Sequence, residues 1–276
     1  MFDTHAHVNF RDFKDDAKQT MQRAHDKNVS VVLVGSQFST SERAVKMAQE
    51  YENTYSAVGL HPFHLVEREV QERVDDKEIV KIKSRAEKFV YADYLSLAKS
   101  NKKVVAIGEC GFDYHFTLPE NLAEERKVQE QAFNEQINLA NELHLPMIIH
   151  CRDGFDDLLA TVKNNPIKSG AVMHFYSGNW QQAQPFVELG YYFGFTGAIT
   201  FKKKVETIVE VACNLELDKM LSETDCPYVA PEPYRGQRNE PVYVELVARK
   251  LADIRGLSFA EMVGILDENA KRFFKL

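Results

Sequence analysis

The chain has 276 residues, 44% hydrophobic and 27% charged, with a formal net charge of −7. This is enough chain for a large buried core, and without an apolar run of about 18 residues it offers no helical membrane span. The acidic balance argues against an extended duplex-DNA footprint, which needs a basic surface, but leaves room for a phosphodiester held by cations in one cleft.

Phe2–Val8 reads as a strand and carries His5-Ala6-His7. Residues two apart on a strand share a face, so the two imidazoles form half of a metal site before any loop is ordered. Seven more apolar runs follow: Val29–Gly35, Tyr55–Leu60, Val104–Glu109, Met147–His150, Ala171–Phe175, Tyr191–Phe195 and Met220–Asp225. Most are continuously apolar, as strands covered on both faces are.

Helical patterns separate them. Ser39-Thr40-Ser41-Glu42 reads as a capping box, Leu122–Leu143 places Phe133, Ile137 and Ala140 at helical spacing, and Phe155, Leu158, Leu159 and Val162 mark the next helix. Ser258-Phe259-Ala260-Glu261 opens the last one. Residues 65–103, densely charged, are expected to form two helices outside the sheet, and residues 227–241 a Pro- and Arg-containing loop. Eight strands alternating with helices, near the ~250 residues usual for the architecture, predict a (β/α)8 TIM barrel forming one domain over residues 1–276. An open doubly wound sheet is the rival, without a GxGxxG turn to support a nucleotide version.

In such barrels the site lies at the C-terminal ends of the strands. There the first strand offers His5 and His7, the fourth Glu109, the fifth His150, the sixth His174 and the eighth Asp225. Four imidazoles and two carboxylates suit two divalent ions sharing a carboxylate bridge, with positions left for water and substrate. His5, His7 and Asp225 are expected at one ion, His150 and His174 at the other, with Glu109 between. The four cysteines, Cys110, Cys151, Cys213 and Cys226, lack CxxC spacing and read as small packed residues of a cytoplasmic protein. The N-terminus has no signal-peptide pattern.

These blocks resemble the TatD family of metal-dependent deoxyribonucleases, within the metallo-dependent hydrolase barrels. The matching segments are Phe2–His7, Val58-Gly59-Leu60-His61-Pro62, Ile107–Tyr114, Ile149-His150-Cys151-Arg152-Asp153, His174–Gly178, Glu223–Tyr228 and Arg235–Pro241. The resemblance implies hydrolysis of DNA phosphodiesters, commonly from the 3′ end of single strands and usually supported by Mg, while the His-rich ligands themselves suit Zn, Mn or Fe; two divalent cations, Mg, Mn or Zn, are expected. Asp225 is then the expected general base and Glu109 the residue that spaces the ions. His61, Arg152, Arg235 and Arg238 are expected to bind phosphate, Asp113 to orient a ligand, and Phe63, Tyr114, His115 and Tyr228 to stack on bases.

Two other readings compete. A small-molecule ester, amide or lactone hydrolase of the same barrel group often bridges its metals with a modified lysine on the fourth strand. Here Glu109 holds that position, and Lys102 and Lys103 precede the strand. A non-catalytic metal scaffold is the third reading, and the complete ligand set counts against it.

Overall fold

The structure, a computed structural model, describes residues 1–73 and 79–276. Eight parallel strands form one sheet: β1 (Phe2–Ala6), β2 (Ser30–Val34), β3 (Thr54–Val58), β6 (Val104–Asp113), β7 (Met147–Arg152), β8 (Ala171–Met173), β9 (Tyr192–Phe195) and β10 (Met220–Ser222). Every expected strand is present, and each neighbours the next in chain order. The sheet curls until its edges meet: the His7 amide donates to Cys226 O at 2.8 Å and the Asp225 amide donates to His5 O at 2.9 Å. The result is a (β/α)8 barrel.

Side-chain alternation sorts the core into an inside and an outside. Val32 and Val34 of β2 pack with Phe2, Ala57, Ala106, Ile148, Val172 and Leu221 from other strands, whereas Val31 and Leu33 pack with Met21 and Ala24 of α1 (Ala17–Asp26). The inner cluster is completed by Phe273 and Phe274 from the end of the last helix, α9 (Phe259–Phe274). These rings close the barrel interior opposite the candidate site, each contributing about 1.5–3 kcal/mol of burial.

The helices α2 (Phe38–Ala48), α4 (Leu122–Leu143), α5 (Phe155–Asn164), α6 (Trp180–Glu188), α7 (Glu206–Asn214) and α8 (Val244–Arg255) run between or after the barrel strands. Ser258 and Glu261 form the expected reciprocal cap of α9. The α2 cap is shifted from the expected Ser39–Glu42 box: the Gln37 amide donates to the Thr40 hydroxyl at 2.8 Å. No described helix is long and apolar enough to cross a membrane.

The expectation of two helices within residues 65–103 is corrected. Glu67–Arg73 (β4) and Ile79–Arg85 (β5) form an antiparallel pair, and among the described residues of this stretch the one α-helix is Tyr91–Lys99 (α3). Val70 lies opposite Ile82 in the ladder. In β5, Val80 and Ile82 alternate with Lys81 and Lys83, a period of two that favours strand despite the charge density, while Val70 is the one apolar residue of β4. The remainder of that expectation, residues 74–78, lies outside the described residues.

Candidate metal centre

Two irregular strands set the site. The β1–β2 ladder shifts register between Asp3 and Ala6, around His5, and the β6–β7 ladder shifts between Ile107 and Cys110, around Glu109. Such bulges bend a strand and re-aim a side chain. Gly108 makes the second one possible: its φ is +137°, and a Cβ there would stand 2.3 Å from Ile148 O. Asp225 has φ 56°, a left-handed conformation that Asp tolerates better than most side chains.

Glu109 is the centre of the resulting cluster. Its Oε2 lies 3.5 Å from His5 Nε2 and 3.8 Å from His7 Nε2. Its Oε1 lies 3.0 Å from His150 Nδ1, 3.4 Å from His61 Nε2 and 3.6 Å from His174 Nε2. One carboxylate therefore presents each oxygen to a different set of imidazoles. Asp225 Oδ1 stands 3.3 Å from His7 Nε2, 3.8 Å from His5 Nε2 and 3.7 Å from His174 Nε2.

The donor set fits divalent cations. Ligands about 2.1 Å from a tetrahedral ion lie about 3.4 Å from one another. The five separations that involve the His5 and His7 Nε2 atoms with each other, with Glu109 Oε2 and with Asp225 Oδ1 are 3.1, 3.5, 3.8, 3.8 and 3.3 Å, near the ligand-to-ligand spacing of such an ion. His7 Nδ1 is 2.9 Å from Val34 O, which only accepts, so the proton sits on Nδ1 and Nε2 turns a lone pair inward. His5 is buried, with its Nδ1 unpartnered.

At the other end, His61, Asp113 and His150 form a compact triad. His150 Nε2 is 3.1 Å from Asp113 Oδ2, as Nδ1 is 3.0 Å from Glu109, so both ring nitrogens donate to carboxylates. His61 is set differently: its Nδ1 accepts from the Phe63 amide at 3.0 Å, leaving the proton on Nε2 facing Glu109. That tautomer makes His61 a hydrogen-bond donor to the site.

The electrostatics follow from this packing. Burial and the His174 charge lower His5 to about 4, which favours its neutral form. Burial acts against charge on His150, yet hydrogen bonds to Asp113 and Glu109 raise it to about 10. His174 likewise rises to about 9 against its burial, through Glu223, Glu109 and Asp225. Asp113 falls to about 2: burial opposes its ionisation, and the His150 bond overcomes it. Glu109 is held well below its ordinary value despite burial, by His61, His174, His150 and His5.

All six expected ligand residues, with His61 and Asp113, come together here. His150 and His174 share Oε1 of Glu109, and His174 also stacks on His5 with ring centroids 3.4 Å apart. The cluster floors a cavity of about 330 Å³ walled by Phe10, Phe63, Phe116, Phe175 and Tyr228, with Arg152 on its rim. Neither Arg235 nor Arg238 lines it. Arg235 packs 3.9 Å over the Phe201 ring, and Arg238 donates to Asp16 Oδ1 at 2.7 Å. Tyr114 donates to Asp157 at 2.8 Å, and His115 lies beside Asp153 at 3.3 Å.

Sequence reasoning missed Glu223. Its Oε1 is 2.8 Å from His174 Nδ1 and accepts from the Phe175 amide at 2.7 Å. The spacing Glu223-x-Asp225 was a usable signal, equivalent to His5-x-His7. Phe10 and Phe175 were also missed, though each lies within three residues of a histidine of the cluster.

The family model for TatD related DNase matches residues 2–275. A relative from Bacillus subtilis (strain 168), "Uncharacterized metal-dependent hydrolase YabD", is 35% identical and aligns over 100% of this chain and 99% of its own length. A "3'-5' ssDNA/RNA exonuclease TatD" from Citrobacter rodentium is 30% identical over 99% of this chain and 97% of its own. Among solved structures, YJJV, a TatD homologue from Escherichia coli K12, superposes with a TM-score of 0.81 at 29% identity, covering 100% of this chain and 98% of that one.

Proposed function

The chain belongs to the TatD-related DNase family of metal-dependent hydrolases, and from that premise we propose that it removes nucleotides from the 3′ end of single-stranded DNA, as a single unit over residues 1–276. The observation that carries this reading is the position of Glu109, whose Oε2 faces His5 and His7 and whose Oε1 faces His61, His150 and His174, on the floor of an open, aromatic-walled cavity. The printed activity of the Citrobacter relative supports the substrate class and the polarity.

His5, His7, Asp225 and Glu109 Oε2 would hold one divalent cation, and Glu109 Oε1, His150 and His174 a second, with Mg, Mn and Zn as the candidates. Bound there, such ions supply Lewis acidity toward a phosphoryl oxygen and make a water a better nucleophile. Asp225, with Oδ1 among three imidazoles and given to the cation, would take the proton of the attacking water on its second carboxylate oxygen. Asp113 holds His150 in orientation. His61 Nε2–H and the Arg152 guanidinium are the groups on this face suited to donate to phosphate oxygens. The phenyl walls suit unpaired bases, whose faces a duplex would cover.

Incubation of 5′-labelled single-stranded DNA with protein and Mg, Mn or Zn tests the proposal, beside an EDTA control. A ladder shortening from the 3′ end, abolished by EDTA, is expected. Intact DNA with every metal, in folded and metal-loaded protein, would refute the proposal.

A further inference from the structure

A second cavity of about 180 Å³ adjoins the catalytic one and shares Phe175 and Ser177 with it. It lies on the same barrel face, since its other walls come from the segments after β8 and β9: Tyr176, Thr196, Phe201, Lys204 and Thr207 among them. The proposed reaction at the metal centre does not use it.

Its chemistry is specific. Phe201 presents a half-buried ring whose position is fixed by the Arg235 guanidinium, 3.9 Å from the ring centroid. Lys204 is exposed at its edge and ends Lys202-Lys203-Lys204, the one run of three lysines in a chain of net charge −7. The hydroxyl residues Ser177, Thr196 and Thr207 line the same space, and α7 begins beside it with its positive dipole end. Glu206, in that first turn, is not among the lining residues. The wall between the cavities is held in an uncommon conformation: Phe175 has φ 41°, and its amide is bound by Glu223. A bulky residue keeps such a conformation only where its surroundings enforce it, often at functional sites.

We propose that this second cavity is a nucleotide subsite, taking the base of the residue across the scissile bond against Phe201 and Phe175 and its onward phosphate at Lys204. The inference rests on the nuclease reading and extends it to how the polynucleotide chain leaves the metal centre. It also gives Arg235 a part in substrate binding that acts through Phe201.

The test compares two substrates on metal-loaded protein: a single-stranded decanucleotide, and the p-nitrophenyl ester of thymidine 5′-monophosphate, which lacks any phosphate beyond the scissile one. Lys204→Ala, a surface change, is expected to raise KM for the decanucleotide and to reduce its log–log salt slope by about 0.7, the value of one single-strand phosphate contact. Its turnover of the ester should be unchanged. Phe201→Ala should raise the decanucleotide KM roughly tenfold, the size of one base–aromatic stack. Unchanged decanucleotide kinetics in both variants, with wild-type protein active, would overturn the subsite and leave the nuclease reading standing. Wild-type protein that cleaves the ester but not the decanucleotide would overturn both.

Discussion

His174 and Glu223 stand 2.8 Å apart, Nδ1 to Oε1, an ion-pair contact without aligned hydrogen-bond geometry, while the opposite nitrogen of the ring lies toward Glu109 and Asp225. A carboxylate behind a ligating histidine fixes the ring and raises its basicity. Glu223→Gln is therefore expected to lower divalent-metal affinity by about 10- to 100-fold with the fold unchanged, measured by calorimetric titration of Mn into chelator-treated protein. Gly194→Ala should act in the same direction, because its Cβ would stand 2.4 Å from Glu223 Oε2. Wild-type affinity in both variants would remove Glu223 from the metal centre.

The raised histidines make metal uptake pH-dependent. In chelator-treated protein His150, at about 10, and His174, at about 9, carry protons at neutral pH that a cation must displace. Titration should release protons, and apparent affinity should rise between pH 6 and 9. The stability sign follows from the same shifts: folded values above the ordinary 6.5 give stabilisation that is full below 6.5 and is lost as pH rises through 9 to 10. Chelated protein should thus lose melting temperature over that window. Uptake without proton release, read in two buffers of different ionisation enthalpy, would contradict this.

Asp225→Asn preserves shape while removing both a charge and a proton acceptor. Cleavage of single-stranded DNA should fall by about 10²- to 10⁴-fold, the range of a lost general base, with an unchanged circular dichroism spectrum. Full activity would exclude the role assigned to Asp225.

Arg238 has a structural task. Its guanidinium binds both oxygens of Asp16, reaches Glu240 at 3.2 Å, and covers the Phe13 ring at 4.3 Å. Both partners are about one-third exposed, so Arg238→Ala should cost roughly 1 kcal/mol or less, seen as a small fall in melting temperature. KM for DNA and its salt dependence should not move. A clear loss of salt dependence would return Arg238 to the phosphate path.

Features carried by short periodic segments were legible in the sequence. Each apolar run became a barrel strand because its inner and outer faces are both covered, and Glu109, His150, His174 and Asp225, at or next to the ends of four of them, stand at the rim. The β4–β5 pairing was not legible because β4 carries one apolar residue, Val70, and only Val80 and Ile82 of β5 alternate with charge. Arg238 could not be placed, since its partner Asp16 is 222 positions away and only the closed barrel brings them together. The stacking of His174 on His5 was hidden for the same reason: order around the barrel does not show which side chains meet across it. The tautomer of His61 depends on one amide of the following turn, a local detail that composition does not reveal.

Anomalous diffraction from crystals soaked in Mn tests the account most directly. Two peaks about 3.5–4 Å apart are predicted, one against Glu109 Oε2 with His5, His7 and Asp225, the other against Oε1 with His150 and His174. A single peak, or two peaks that do not share Glu109, would contradict the assignment of that carboxylate as the bridge.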